Sequence, residues 1–323
     1  MTIIEQAARR LEELRRSGIE VPASPPQKTT DAANAGSAQN VPSRFVRKVD
    51  ESGSGAVVGW ADAPSAPNSN TPAAAQVELR SREVQIDLAR LAANGYVTPE
   101  TPRAQIADEF RVIKRPLLKN VDGRGAVPVE RANLIMVTSS LPGEGKTFIA
   151  VNLAISIAME LDKTVLLVDA DVSRPSVLQR LGLAPAPGLL DLLTGRAKGM
   201  SDVLLSTSID KLSILPAGAP QGRATELLAS DSMERLLEEL AARYGDRVVV
   251  FDAPPLLPST ESRVLATHMG QVVLVVEAGR TAHKSVEQSL ATLEACPVVM
   301  PLLNKISRSE VGSYYGYYGP IDA

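Results

Sequence analysis

Val137-Thr-Ser-Ser-Leu-Pro-Gly-Glu-Gly-Lys-Thr-Phe-Ile-Ala-Val-Asn152 decides the fold of this chain. Ahead of it, Leu134 to Val137 read as a buried strand; behind it, Thr147 to Met159 carry apolar residues at helical spacing. A Gly-rich turn therefore joins a strand end to a helix start, where free backbone N–H groups and the positive end of the helix dipole favour an anion. Gly143 and Gly145 permit backbone angles and a close approach that a side chain would block. Lys146 can reach terminal phosphates, and the Thr147 hydroxyl can hold a magnesium ion. One position departs from the usual pattern: Ser140 stands where such loops begin with glycine. The combination calls for a nucleotide.

Two further apolar runs end in acids, Val165-Leu-Leu-Val-Asp169-Ala-Asp171 and Val248-Val-Val-Phe-Asp252-Ala-Pro-Pro255. A strand-end Asp often just caps the next helix. Three acids on two such strands, beside a phosphate loop, fit better with magnesium, which prefers oxygen ligands and keeps waters that carboxylates orient. Asp169 and Asp171 are two apart, so one can serve the metal while the other accepts a proton. Strands are also expected at Leu212 to Leu215, Val272 to Val276 and Val298 to Leu303. Helices are expected near 176–182, 188–194, 224–243, 260–268 and 282–294, and from Ala104 to Leu118 ahead of the loop. Val84, Ile86, Leu88 and Leu91 suggest a short helix or strand before the turn Asn94-Gly95. This alternation predicts an α/β fold with a mostly parallel sheet and helices on both faces.

The ends of the chain read differently. Residues 1–20 predict an amphipathic helix: Thr2 and Glu5 have capping-box spacing, Ile4, Ala7, Ala8, Leu11 and Leu14 form a stripe, and Gly18 stops it. It either packs on the chain's own core or docks on a partner. Residues 21–76, rich in Pro, Ala, Ser, Asn and Gly, predict a disordered linker, and residues 77–323 the folded domain with a tail from about 307. In that tail, Tyr314, Tyr315, Tyr317 and Tyr318 are four of the six tyrosines, spaced by glycine with no apolar neighbours, which suits an exposed target for modification. A net charge of −3 without a basic stripe argues against nucleic acid. With one cysteine and two histidines, an internal disulfide and a Cys/His metal site are excluded. No apolar run approaches the roughly 20 residues of a membrane span, and no signal peptide is apparent, so a cytoplasmic location is expected, with membrane contact only through a partner.

Together these residues resemble the bacterial tyrosine kinases, a family built on a P-loop ATPase fold. Ser140 to Thr147 matches its Walker A motif, Val168-Asp-Ala-Asp171 its A-prime motif and Phe251-Asp-Ala-Pro-Pro255 its Walker B motif. The resemblance covers about residues 100 to 323. It implies ATP and Mg2+ as ligands, with nucleotide contacts from Pro142, Gly143, Glu144, Gly145, Lys146, Thr147, Phe148 and Asn304. Thr147, Asp171 and Asp252 would hold the metal; Lys146, Asp169, Asp171 and Asp252 would be catalytic, Asp169 as base; and the four tail tyrosines would accept phosphate in trans. It also implies a ring-shaped homo-oligomer assembled through Asp108, Arg111 and Lys114, where Asp108 and Lys114 replace the usual Glu and second Arg. A further departure is Ser173, where the A-prime motif usually carries Arg; Arg174 follows it. Glu109-Phe-Arg-Val-Ile-Lys-Arg-Pro-Leu-Leu118 and Asp171-Val-Ser-Arg-Pro-Ser-Val-Leu178 are most similar to the autokinases of exosortase-linked exopolysaccharide loci. There the membrane-embedded, chain-length-determinant-type activator is a separate protein. Two rivals share the fold: a partitioning-type switch ATPase, whose signature lysine is Leu141 here, and a non-catalytic ATP-binding module of polysaccharide assembly.

Overall fold

The middle positions of the central strands β2, β3, β6 and β7 are mostly Val, Ile or Leu because both faces of the sheet are covered. The computed structural model describes residues 82–242 and 246–306, so the expected N-terminal helix, linker and tyrosine tail lie outside the described residues. In chain order the elements are β1 (Arg82–Val84), α1 (Leu88–Ala93), α2 (Gln105–Val121), β2 (Leu134–Ser139), α3 (Lys146–Ala158), β3 (Thr164–Asp169), α4 (Val177–Leu181), α5 (Leu189–Leu193), β4 (Leu205–Thr207), β5 (Leu212–Leu215), α6 (Ala224–Leu228), α7 (Asp231–Ala242), β6 (Arg247–Asp252), α8 (Thr260–Ala266), β7 (Gln271–Glu277), α9 (His283–Ala291) and β8 (Val298–Asn304). The strands form one sheet in the order β1-β4-β5-β3-β6-β2-β7-β8. All pairings are parallel except β4 with β5. Since β1 runs parallel to β4, those two strands run opposite to the other six.

Side chains alternate between two cores with the period of two that strands impose. Ile135, Val137, Val165, Leu167, Val248, Val250, Val273 and Val275 share one core with Phe110 and Leu117 of α2 and with Leu153 and Ile157 of α3. Their neighbours Leu134, Met136, Leu166, Val168, Val249, Phe251, Val272 and Leu274 face Leu236, Leu237 and Leu240 of α7 and Leu265 of α8. Apart from its first turn, α3 has no polar face, and residues Ile149 to Ala158 are all buried. It is sandwiched by α2, whose Ala107, Phe110, Lys114 and Leu117 turn inward at helical spacing.

The expected strands and helices are present, with differences at boundaries and edges. The region around Val84 to Leu91 holds both alternatives, a strand and then a helix, ending at Asn94 and Gly95, where Gly95 has φ +75°. The single helix expected over 224–243 is two, because the Ser230 hydroxyl bonds back to the Leu227 carbonyl at 2.7 Å and the Ser230 carbonyl accepts the first bonds of α7. The three-residue strand β4, paired between β1 at the sheet's edge and β5, was not expected. Helix α2 continues through Pro116 to Val121. The carbonyl that the missing proline N–H would have met is that of Val112, a residue 67% exposed and open to water.

Candidate active site

The topology puts β2 between β6 and β7, with β3 beyond β6. Val137 pairs with Asp252, and Asp252 with Asp169, so the phosphate loop and the acids share one sheet edge. In open α/β sheets, ligands bind at the carboxyl ends of the strands, where the order reverses.

Gly143 and Gly145 have φ of +89° and +100°, and Gly145 caps the start of α3. A Cβ on Gly145 would stand 2.2 Å from Asn304 Nδ2, so the glycine serves both the angle and the fit. Behind the loop lies a set of polar contacts. Glu144 is only 2% exposed; its Oε2 accepts from the Leu141 N–H at 2.8 Å and its Oε1 from the Thr281 hydroxyl. Asn304 Nδ2 donates to the Glu144 carbonyl at 2.9 Å, and Lys305 Nζ donates to the Gly143 carbonyl at 2.7 Å. Ser140, at the usual glycine position, accepts a hydrogen bond from the buried Ser289 hydroxyl of α9 at 2.9 Å.

In front of the loop opens a cleft of about 480 Å³ lined by Pro142, Gly143, Gly145, Lys146, Thr147, Phe148, Asp171, Ser173, Arg174, Ser176, Arg180, Pro254, Pro255, Pro258, Ser259 and Glu261. Lys146 Nζ lies 2.5 Å from Asp171 Oδ2 and 3.8 Å from Asp252 Oδ1. Asp252 is fully buried, and neither of its carboxylate oxygens has a hydrogen-bond partner among the described residues. Burial pushes its carboxyl up to about 6, against the pull of the Lys146 ammonium and the nearby Thr147 hydroxyl. The Thr147 hydroxyl is 3.2 Å from that of Ser176.

Asp169 is held differently. Its Oδ2 accepts from the Ser176 and Val177 N–H groups, both at 3.0 Å, and so caps α4, while its buried Oδ1 has no partner. Burial first, then the Asp252 charge, push it up to about 7. It does not line the cleft with Lys146 but an adjoining cavity of about 350 Å³, shared with Pro175, Leu178 and Pro216.

Of the expected nucleotide contacts, Pro142, Gly143, Gly145, Lys146, Thr147 and Phe148 line the cleft; Glu144 and Asn304 reach the loop from behind. Arg174 and Arg180 are cleft residues that the motifs alone did not single out for phosphate contact. Arg174 follows the anomalous Ser173, which was a usable signal. Arg180 sits among the leucines of a short helix, where its spacing carried none. In α2, the exposed Arg111 pairs with Asp108 and the Pro102 carbonyl. Lys114, expected beside them in an interface, is 6% exposed and turned inward, donating to the Ser156 carbonyl and pairing with Glu160 at 2.6 Å. The four tail tyrosines lie outside the described residues.

A family model described as an AAA domain matches residues 132–300. The tyrosine-protein kinase YwqD of Bacillus subtilis is 30% identical over 226 residues, covering 68% of this chain and 90% of YwqD. The succinoglycan biosynthesis transport protein ExoP of Rhizobium meliloti is 32% identical over 228 residues, 69% of this chain. The chain spans just 28% of ExoP's length. Among solved structures, the kinase domain of VpsO aligns with a TM-score of 0.51 at 30% identity, covering 63% of this chain and 100% of that domain. With YwqD 30% identical to it and covered over 90% of its length, the chain belongs to the bacterial tyrosine-protein kinase family.

Proposed function

We propose that the chain is an ATP-dependent protein-tyrosine autokinase that transfers the γ-phosphate to Tyr314, Tyr315, Tyr317 and Tyr318, in trans between copies, and so regulates exopolysaccharide synthesis or export. The observation that carries this is Lys146 set between Asp171 and Asp252 at the mouth of the Gly143–Thr147 loop. The loop amides and the start of α3 would take the phosphates, and Lys146 would neutralise their charge. Thr147, Asp171 and Asp252 would hold magnesium. Their oxygens suit this hard cation, and the fully buried Asp252 carboxylate, without a hydrogen-bond partner and with Lys146 no nearer than 3.8 Å, has room for a second cation. Among the described residues no cluster of His, Cys, Asp or Glu could hold a metal unaided, so phosphate and water oxygens would complete the set. Bound magnesium supplies charge neutralisation on the transferred phosphoryl group. By the family resemblance Asp169, whose Oδ1 has no hydrogen-bond partner, would take the phenolic proton, reached from the second cavity that it lines rather than from the cleft with Lys146. The tyrosine oxygen bonds to phosphorus, the bond to the bridging oxygen breaks, and ADP leaves.

The ring would form through α2, where Arg111 and Asp108 are exposed. ExoP, named for succinoglycan biosynthesis and transport, supports the polysaccharide role. Among the described residues no helix is long and apolar enough to cross a membrane, which fits a kinase recruited to the inner membrane face by a separate membrane-embedded activator of the chain-length-determinant type. Residues 1–20, with their apolar stripe of Ile4, Ala7, Ala8, Leu11 and Leu14 in the sequence, would be the segment that engages such a partner.

The test incubates the full chain with labelled ATP and magnesium and maps phosphate by mass spectrometry. Label is expected on the tail tyrosines and, in Lys146→Met, a fall of about 10²- to 10³-fold, the scale of losing one preorganised charge contact. Phosphate release without label on the protein would favour a switch ATPase instead.

A further inference from the structure

We infer that Asn304 and Lys305 are positioning residues for the phosphate loop, acting through its backbone carbonyls, so that the end of β8 sets how tightly the loop holds nucleotide phosphates. This rests on the nucleotide-binding reading and assigns these two residues a part that needs no contact with the nucleotide.

The peptide bond is planar. In a trans peptide the C=O of one residue and the N–H of the next point in opposite directions. The Gly143 carbonyl, held by Lys305 Nζ at 2.7 Å, shares its plane with the Glu144 N–H; the Glu144 carbonyl, held by Asn304 Nδ2 at 2.9 Å, shares its plane with the Gly145 N–H. Anchoring these two carbonyls behind the loop therefore turns two consecutive amides the opposite way, as an anion-binding turn requires.

The anchor is itself held. Glu277 Oε2 fixes the Lys305 ammonium at 3.1 Å, and Thr281 joins the Glu277 N–H, at 3.2 Å, to the Glu144 carboxylate. Lys305 adopts φ +58°, a left-handed backbone uncommon for a residue with a Cβ, which brings its side chain back over the loop. Lys305 also stands nine positions before Tyr314 in the sequence. Coupling of this kind is reciprocal: if Lys305 on the loop strengthens phosphate binding, bound phosphates strengthen Lys305 on the loop.

The experiment titrates the full chain with a fluorescent ADP derivative and magnesium, which reads binding without phosphoryl transfer. Lys305→Met is expected to weaken binding about five- to tenfold, the scale of one charge-assisted hydrogen bond. Asn304→Ala should act in the same direction, Lys305→Arg should restore most of the affinity, and Lys284→Met, an exposed lysine of α9, should change nothing. The thermal midpoint without nucleotide should stay within about 2 °C of wild type for Lys305→Met, separating loop positioning from loss of fold. Affinities for Lys305→Met and Asn304→Ala within twofold of wild type, or an equal loss in Lys284→Met, would overturn the inference alone. No ADP binding by the wild-type chain would overturn the nucleotide reading as well.

Discussion

At the scale of single residues, burial separates the acids of the catalytic edge. Asp169 and Asp252 are raised to about 7 and about 6, against 3.8 for an unperturbed carboxyl, with burial the leading cause in both. In that interval the folded protein binds more protons than the unfolded chain, so stability falls as pH rises from about 4 to 7. Asp252→Asn, with no charge to desolvate, is expected to melt several degrees above wild type at pH 8, in EDTA without nucleotide. The gap should narrow to about a third by pH 4.5; an equal gap at both values would show that burial does not raise these carboxyls. Much at this scale was legible in the sequence, since Lys146, Thr147 and the acids announce themselves by strand-end position and glycine spacing. Asn304 and Lys114 were not, because which way a polar side chain turns depends on neighbours that only the tertiary fold supplies: the Glu144 carbonyl for one, Ser156 and Glu160 for the other.

At the scale of elements, α2 is fastened to α3 by that inward lysine as well as by Phe110 and Leu117. Removing a buried member of an ion pair leaves its partner underused, but Glu160 is 39% exposed and can return to water. Lys114→Ala is therefore expected to lower unfolding free energy by about 1–3 kcal/mol in urea titrations. The exposed Arg111→Ala should stay within about 0.5 kcal/mol. Matching losses for the two would refute the inward assignment. The elements that escaped sequence reading share a physical cause. β4 is three residues long, too short for an alternating pattern, and it pairs with β1, Leu205 against Arg82, across a separation in sequence that no local signal spans. The break between α6 and α7 depends on one hydroxyl, that of Ser230, inside an otherwise continuous helical stripe. Strands β2, β3, β6 and β7, buried on both faces, were legible because double burial writes an unbroken apolar run.

At the scale of the whole molecule, the proposed tail phosphorylation would act on assembly through charge. Phosphate on all four tyrosines would add about −6 to −8, at −1.5 to −2 each, to a chain whose net charge is −3. Unphosphorylated chains should assemble and phosphorylated ones separate. After incubation with ATP and magnesium, a Tyr314/315/317/318→Phe variant is thus expected to sediment as a larger species than wild type, and equal sizes would count against the linkage. Direction of travel matters as much as charge. Because β1 runs opposite to the six central strands, Arg82 starts at the edge where their carboxyl ends lie, and β8 finishes at that same edge. Seven strand spacings separate the two, roughly 34 Å at about 4.8 Å each. The chain thus enters and leaves the sheet on the side of the cleft, at opposite flanks. The two ends of the described sheet, Arg82 and Asn304, thus share the cleft's edge, with the strands that carry the phosphate loop and the acids between them.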